Sequence, residues 1–262
     1  MGRRLVVALA VLVVGALVAV VVIVVNGVFR ASPGCAAVAD DSATLTVEQA
    51  DNAATIAGVG LALSMPDHAV TVALATAMQE SGLRNLPGGD RDSAGLFQQR
   101  PSQGWGTYAQ VTDPTYAAGA FYRKLRTEPD WPTMSVTEAA QLVQRSAAPD
   151  AYARWEPRAR TVARALTGED PTALTCHDIE LAVPGDDVAT LATRELGTNR
   201  LSGPQPTARG WALASWLVAH AARLGLDSVT YDGRTWTAES GEWAGTGPAD
   251  GVLGLHRAAA AG

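Results

Sequence analysis

Ala77-Met78-Gln79-Glu80-Ser81-Gly82-Leu83 and, a dozen residues on, Ser93-Ala94-Gly95-Leu96-Phe97-Gln98-Gln99-Arg100-Pro101 are the two stretches that decide how this chain reads. The first closes an apolar run in which Val70, Ala73, Leu74, Ala77 and Met78 recur at helical spacing, with Pro66 and Asp67 as its start. At about 100° per residue, Glu80 falls about 20° outside Ala73, on the edge of the apolar stripe. It also stands near the helix C-terminus, where the macrodipole disfavours an anion. Partial burial and that dipole both favour the protonated carboxyl. In the second stretch Gly95 permits close backbone approach, Leu96 and Phe97 can fix the loop in the core, and Gln98 and Gln99 offer donors and acceptors. A proton-holding acid followed by a Gly-centred turn with paired amides suits the cutting of a glycosidic bond.

In order and spacing these motifs resemble those of the soluble lytic transglycosylases and goose-type lysozymes, over about residues 45–166. Those families carry an acid in a Glu-Ser-Gly context before a Gly-Leu-Met-Gln-like segment; here Phe97 replaces Met. The resemblance implies a lysozyme-like fold, Glu80 as catalytic acid and peptidoglycan as substrate. The later Ala-Tyr-Asn-Ala-Gly segment of the transglycosylases is matched only loosely by residues 144–155. Val143-Gln144 stands where Tyr-Asn is expected, which leaves Gln144 and Tyr152 as candidate substrate contacts. Ser81 either orients Glu80 or caps the helix. Trp105 and Tyr108 lie on a Gly-rich loop, where they stack on sugar or pack in the core; both readings stay open. Candidates for a second carboxylate are Asp90 and Asp92, in Gly88-Gly89-Asp90-Arg91-Asp92-Ser93, although such segments also make ordinary turns.

Outward from these motifs, Thr46-x-x-Gln49 predicts a capping box opening a helix through about residue 63. Further helices are expected at about 114–126, 135–145 and 156–167, and no strand pattern is expected in this half. After Gly168 come Asp170-Pro171 and Pro184-Gly185-Asp186-Asp187, which read as connecting turns. Helices at 187–196 and 207–224 then precede a hairpin, 228–231 and 234–237, around Asp232-Gly233, with a third strand at 251–256. The expected fold class is a mainly α lysozyme-like domain after one N-terminal transmembrane helix, with a small C-terminal α+β domain. Its divisions are 1–30 cytoplasmic tip and anchor, 31–44 tether, 45–168 catalytic domain, 169–186 linker and 187–262 α+β domain.

The anchor rests on residues 5–25, from Leu5 to Val25, a charge-free run of bilayer length behind Arg3 and Arg4. It predicts a single-pass cell membrane protein with extracytoplasmic globular domains; a cleaved signal peptide is the rival reading. The 262 residues carry a formal charge of −6, which argues against nucleic-acid binding because phosphate recognition rests on basic patches. The two cysteines, Cys35 and Cys176, bracket the catalytic half, and in an oxidising exterior they are expected to pair. The four histidines are scattered, so no metal site or cofactor is expected, and no Gly-x-Ser-x-Gly or phosphate-cradling loop occurs. The sequence thus predicts a peptidoglycan-cleaving enzyme acting on the MurNAc-β-1,4-GlcNAc bond, a lytic transglycosylase or a lysozyme-type hydrolase. The alternative from another class is a non-catalytic wall-binding or cell-envelope scaffold.

Overall fold

In the computed structural model, which describes residues 32–145 and 149–259, the capping box at Thr46 forms. Its hydroxyl accepts from the Gln49 amide at 3.1 Å, and Gln49 Oε1 accepts from the Thr46 amide at 2.9 Å. Helix α1 runs Val47–Ala62. Helix α2 runs Asp67–Ser81, with Pro66 as the residue before its first turn. A short α3 (Tyr108–Val111) leads into α4 (Pro114–Arg126), whose first amides, Thr115 and Tyr116, donate to the Asp113 carboxylate. Helix α5 (Val136–Gln144) also starts on a capping box, Ser135 with Glu138. Helix α6 (Glu156–Thr167) stops at Gly168, whose φ of 78° lies in the left-handed region open to glycine. Helices α7 (Val188–Leu196), α8 (Thr207–Ala219) and α9 (Ala221–Leu224) follow.

Two antiparallel sheets accompany the helices. The first joins β1 (Gly34–Val38), β2 (Ser42–Leu45) and β3 (Leu174–His177) in the order β2-β1-β3. The second joins β4 (Gly203–Pro204), β5 (Leu226–Tyr231), β6 (Arg234–Thr237), β7 (Trp243–Gly245) and β8 (Val252–Arg257) in the order β4-β8-β5-β6-β7. Asp232 and Gly233 turn β5 into β6 with φ of 52° and 72°, as the hairpin signal requires.

This mixed α/β content corrects the expected mainly α lysozyme-like class. The stretch 31–44, read as a tether, carries β1 and β2, and the stretch 169–186, read as a linker, carries β3. Sequence periodicity misses these strands for a physical reason. Each has only four or five residues, and β1 finds one of its partners far along the chain, Ala37 opposite Leu174. The expected membrane placement is not supported by the structure: among the described residues no helix is long and apolar enough to cross a membrane. The run from Leu5 to Val25 that carried that expectation lies outside the described residues.

Cys35 and Cys176 are directly opposed across β1 and β3 and form the disulfide. It closes a separation of 141 residues, for which the chain-entropy model gives about 5 kcal/mol relative to the reduced unfolded chain. Pro33–Gly262 make up one compact unit. Helix α2 is its axis, buried at every position from Ala69 to Met78 and packed on α6 and α5. Helix α1 lies against α4, α7 and α8, and α8 backs onto β5.

A charged cluster sits where α1 meets α7 and α8. His220, fully buried, lies 2.5 Å from Asp51 Oδ1 and 3.0 Å from Glu195 Oε2. Trp216 Nε1 and the Thr55 hydroxyl donate to the same Glu195 carboxylate at 2.9 and 3.0 Å. Arg223 adds ion pairs to Asp51 and Glu195 at 3.3 and 3.6 Å. Burial alone would push His220 down, but the charges of Glu195 and Asp51 outweigh it and lift its pKa to about 9. Burial alone would push both carboxylates up, but His220 and Arg223 hold them below the ordinary range. The stability contributed by the raised histidine is fully present below its unfolded pKa of 6.5 and is lost as pH rises through about 9. Replacing His220 by Ala removes the buried cation shared by Glu195 and the half-buried Asp51 and leaves Arg223 as their one charged partner among the described residues, so urea unfolding at pH 7 is expected to show a loss of about 3 kcal/mol. The difference between variant and parent should shrink above pH 9; a gap that stays constant to pH 10 would mean the ring is neutral in the native protein.

Candidate active site

Helix α2 ends abruptly. Gly82 and Leu83 both take left-handed backbone, with φ of 64° and 59°, and the chain turns away one residue after Ser81. The carbonyls of such an end and of the turn that follows it need donors. Gln49 Nε2 on α1 donates to the Gly82 carbonyl at 2.9 Å, and the buried Asn52 Nδ2 donates to that of Leu83 at 2.9 Å. The Ser81 hydroxyl lies within bonding distance of the Ala77 carbonyl, at 3.0 Å, and of the Leu96 carbonyl, at 2.8 Å. Ser81 is thus buried and ties the helix end to the glutamine loop, out of reach of a ligand.

That loop folds as tightly as its glycine implies. Gly95 has a φ of 79°, and a side chain there would meet the Val111 carbonyl oxygen at 2.0 Å, so no other residue fits. Leu96 and Phe97 are buried, and the Phe97 ring stacks on Phe121 with centroids 4.8 Å apart. The next residue, Gln98, is forced to a φ of 47°, a strained conformation for a non-glycine residue of the kind that collects at functional sites. Its amide is held by the Ser93 hydroxyl at 3.1 Å and by the Gly95 carbonyl at 3.1 Å. Gln144, on the last turn of α5, donates to the Phe97 carbonyl at 2.8 Å.

Together these segments wall an open cleft of about 320 Å³ whose lining includes Glu80, Asp90, Gln98, Arg100, Trp105 and Gln144. The Tyr152 hydroxyl donates to Glu80 Oε1 at 2.7 Å. Burial pushes the Glu80 carboxyl above its ordinary pKa, and the Tyr152 hydrogen bond opposes that rise in part. Tyr152 is itself fully buried in a 3₁₀ segment, Pro149–Trp155. It therefore positions the acid and offers no face to a ligand. One residue before the acid, Gln79 Oε1 accepts from Arg154 Nη2 and Trp155 Nε1, both at 2.9 Å, which fastens the same segment to α2.

Of the residues singled out in the sequence, Glu80, Gln98, Trp105, Gln144 and Asp90 line one cleft. Gln99 does not: it is buried, with its amide donating to the Ala117 carbonyl at 3.1 Å. Tyr108 is exposed and donates to the Pro87 carbonyl at 2.8 Å, away from the cleft lining. Asp92 is spent on its own loop, accepting from the Ser102 amide and hydroxyl and from Arg100 Nε. The Ser102 bonds come first among the causes that hold its pKa down to about 2. Asp90 lines the cleft with only the exposed Arg91 beside it, at 3.9 Å. Gln103 and Arg145 also line the cleft and carry no motif that marks them. Among the described residues no group of three or more His, Cys, Asp or Glu side chains could hold a metal ion.

A family model described as VldE, C-terminal domain, matches residues 191–251. No curated protein matches the chain. The matched segment includes α8, α9 and the strands β5 to β7, and none of the residues lining the Glu80 cleft falls within it. The similarity therefore bears on the second sheet and its helices and leaves the cleft to be argued from its own geometry.

A carboxyl whose folded pKa is raised contributes stability that is fully present below its unfolded value, 4.5 for Glu80, and is lost as pH rises through the folded one. Glu80→Gln removes that penalty. Calorimetry should show the variant melting above the parent at pH 8, with the gain fading towards pH 4. Tyr152→Phe withdraws the one opposing hydrogen bond and should move the pH at which the parent loses stability further up. A Glu80→Gln protein that melts lower than the parent at pH 8 would show that the ionised carboxylate is favoured here.

Proposed function

We propose that this protein cleaves the β-1,4 bond between N-acetylmuramic acid and N-acetylglucosamine in peptidoglycan, with Glu80 as general acid and then base. The observation that carries this reading is the Glu80 carboxyl in its cleft, kept protonatable by burial and aimed by Tyr152 at 2.7 Å. A glycosidase acid must hold a proton near neutral pH and deliver it to the leaving oxygen. The motif resemblance to soluble lytic transglycosylases and goose-type lysozymes supports the same chemistry. Gln98, Gln144 and Trp105 supply what a neutral sugar needs, amides to hydrogen-bond and an aromatic face. A non-catalytic wall-binding scaffold would gain nothing from a carboxyl of raised pKa in the lining of an open cleft.

Two outcomes of cleavage remain to be separated. A transglycosylase needs one protein carboxyl, because the C6 hydroxyl of the muramic acid attacks its own C1 and leaves a 1,6-anhydro end. Asp92, bound up in its loop, is unsuited to be a second catalytic group, which favours this route. The second reading, hydrolysis by inversion, draws on Asp90, which does line the cleft; it would have to activate a water from the opposite face of the ring.

Digestion of purified peptidoglycan followed by mass analysis of the fragments tests both points. Glu80→Gln should lower the rate by about 10²–10⁴-fold, the usual worth of a general acid, while glycan binding survives. The parent protein should release 1,6-anhydromuramoyl ends, and Asp90→Asn should keep most of the rate. Reducing muramic acid ends that disappear with Asp90→Asn would establish hydrolysis instead, and undiminished turnover by folded Glu80→Gln would sink the assignment altogether.

A further inference from the structure

A second, larger cleft of about 720 Å³ adjoins the first and shares Gln103, Trp105, Gln144 and Arg145 with it. Its remaining wall comes largely from α4, including Tyr116, Arg123 and Lys124. Three cations, Arg123, Lys124 and Arg145, thus face one cavity with no Asp or Glu among the lining residues. This runs against the chain's net charge of −6. Lys124 is engaged by Glu128 at 3.1 Å. Arg123 lies over the Tyr116 ring, 5.7 Å from its centroid. Among the described residues neither Arg123 nor Arg145 makes an ion pair.

We propose that this cleft binds the carboxylates of the peptide branch carried by the muramic acid of the glycan. The inference rests on the peptidoglycan reading of the Glu80 cleft and adds to it a second contact with the substrate. Uncharged sugar rings have no use for paired guanidinium groups, whereas a carboxylate matches their fork of donors. The shared wall matters as much as the charge. Trp105, Gln144 and Arg145 face both cavities, so an occupant of the cationic cleft lies directly beside the ring held at Glu80. A branch attached to that ring is the occupant that such continuity fits. Arg145 reaches the shared wall because α5 ends on it in left-handed backbone, with a φ of 52°, whereas Arg123 lines the larger cleft alone.

The test compares muramoyl tetrasaccharides that carry their peptide branch with unbranched ones whose lactyl carboxyl is capped as the methylamide, each binding to the full-length Glu80→Gln protein, which holds the ligand without cutting it. The branched ligand should bind about tenfold tighter at low ionic strength, equivalent to about 1.4 kcal/mol, and the advantage should fade with added salt. Arg123→Gln, and independently Lys124→Gln, should reduce the advantage while leaving the affinity for the unbranched ligand unchanged. Both side chains reach solvent, so circular dichroism melting of each variant should match the parent. Equal affinity for the two ligands, or an advantage that survives both substitutions or high salt, would overturn the proposal and leave the glycan reading standing. Binding of neither ligand would overturn the glycan reading, and this proposal with it.

Discussion

The helix α2 imposes the constraint from which the rest follows. Every residue from Ala69 to Met78 is buried, so the molecule has to be assembled around it. A helix of that kind must still end, and its last carbonyls must find donors away from water. Gln49 and Asn52 of α1 donate to the carbonyls of Gly82 and Leu83, in the turn just past that end, and the Ser81 hydroxyl couples the same end to the Leu96 carbonyl. The place where α2 meets the surface is therefore fixed from α1 and from the glutamine loop together. Glu80 is the residue at that point. Its partial burial is a consequence of the helix it terminates, and the raised pKa is a consequence of the burial.

Fixing the helix end also fixes the groups around it. The glutamine loop has no freedom once Gly95 is pressed on the Val111 carbonyl and Phe97 is stacked on Phe121. Gln98 takes up the resulting backbone strain at the cleft wall. The 3₁₀ segment that carries Tyr152 is fastened through Gln79, so the hydroxyl is delivered to Glu80 by contacts that lie outside the cleft. Farther away, the buried His220 cluster locks α1 against α7 and α8, and the Cys35–Cys176 bridge joins β1 to β3. Those two devices hold the frame on which α1 and its donors sit.

Much of this was legible in the sequence where the signal is local. The capping boxes at Thr46 and Ser135, the Asp232-Gly233 hairpin and the helix stop at Gly168 each depend on residues a few positions apart. The Glu80 and Gln98 stretches were legible for the same reason, since each is a short motif with a required glycine. What could not be read depended on partners distant in the chain. The strands β1 and β3 exist because Ala37 meets Leu174, and nothing in either tetrapeptide or pentapeptide announces it. Tyr152 read as a substrate contact because its segment loosely resembles a transglycosylase motif; its burial, and its hydroxyl on Glu80, arise from tertiary packing. Gln99 and Gln98 are chemically identical neighbours, and only the loop geometry sends one to the core and the other to the cleft. Likewise Arg123 and Arg145 lie on separate helices, and the shared cavity appears only once α4 and α5 are packed.

The central claim is that this fold keeps Glu80 as a protonatable acid. Carbon-13 NMR titration of side-chain-labelled glutamate in the folded protein, with the Glu80 resonance assigned by its absence in Glu80→Gln, measures that directly. The account predicts a Glu80 carboxyl that titrates above the ordinary value of 4.5, and one that titrates higher still in Tyr152→Phe. A Glu80 resonance that titrates at or below 4.5 in the parent protein would contradict it.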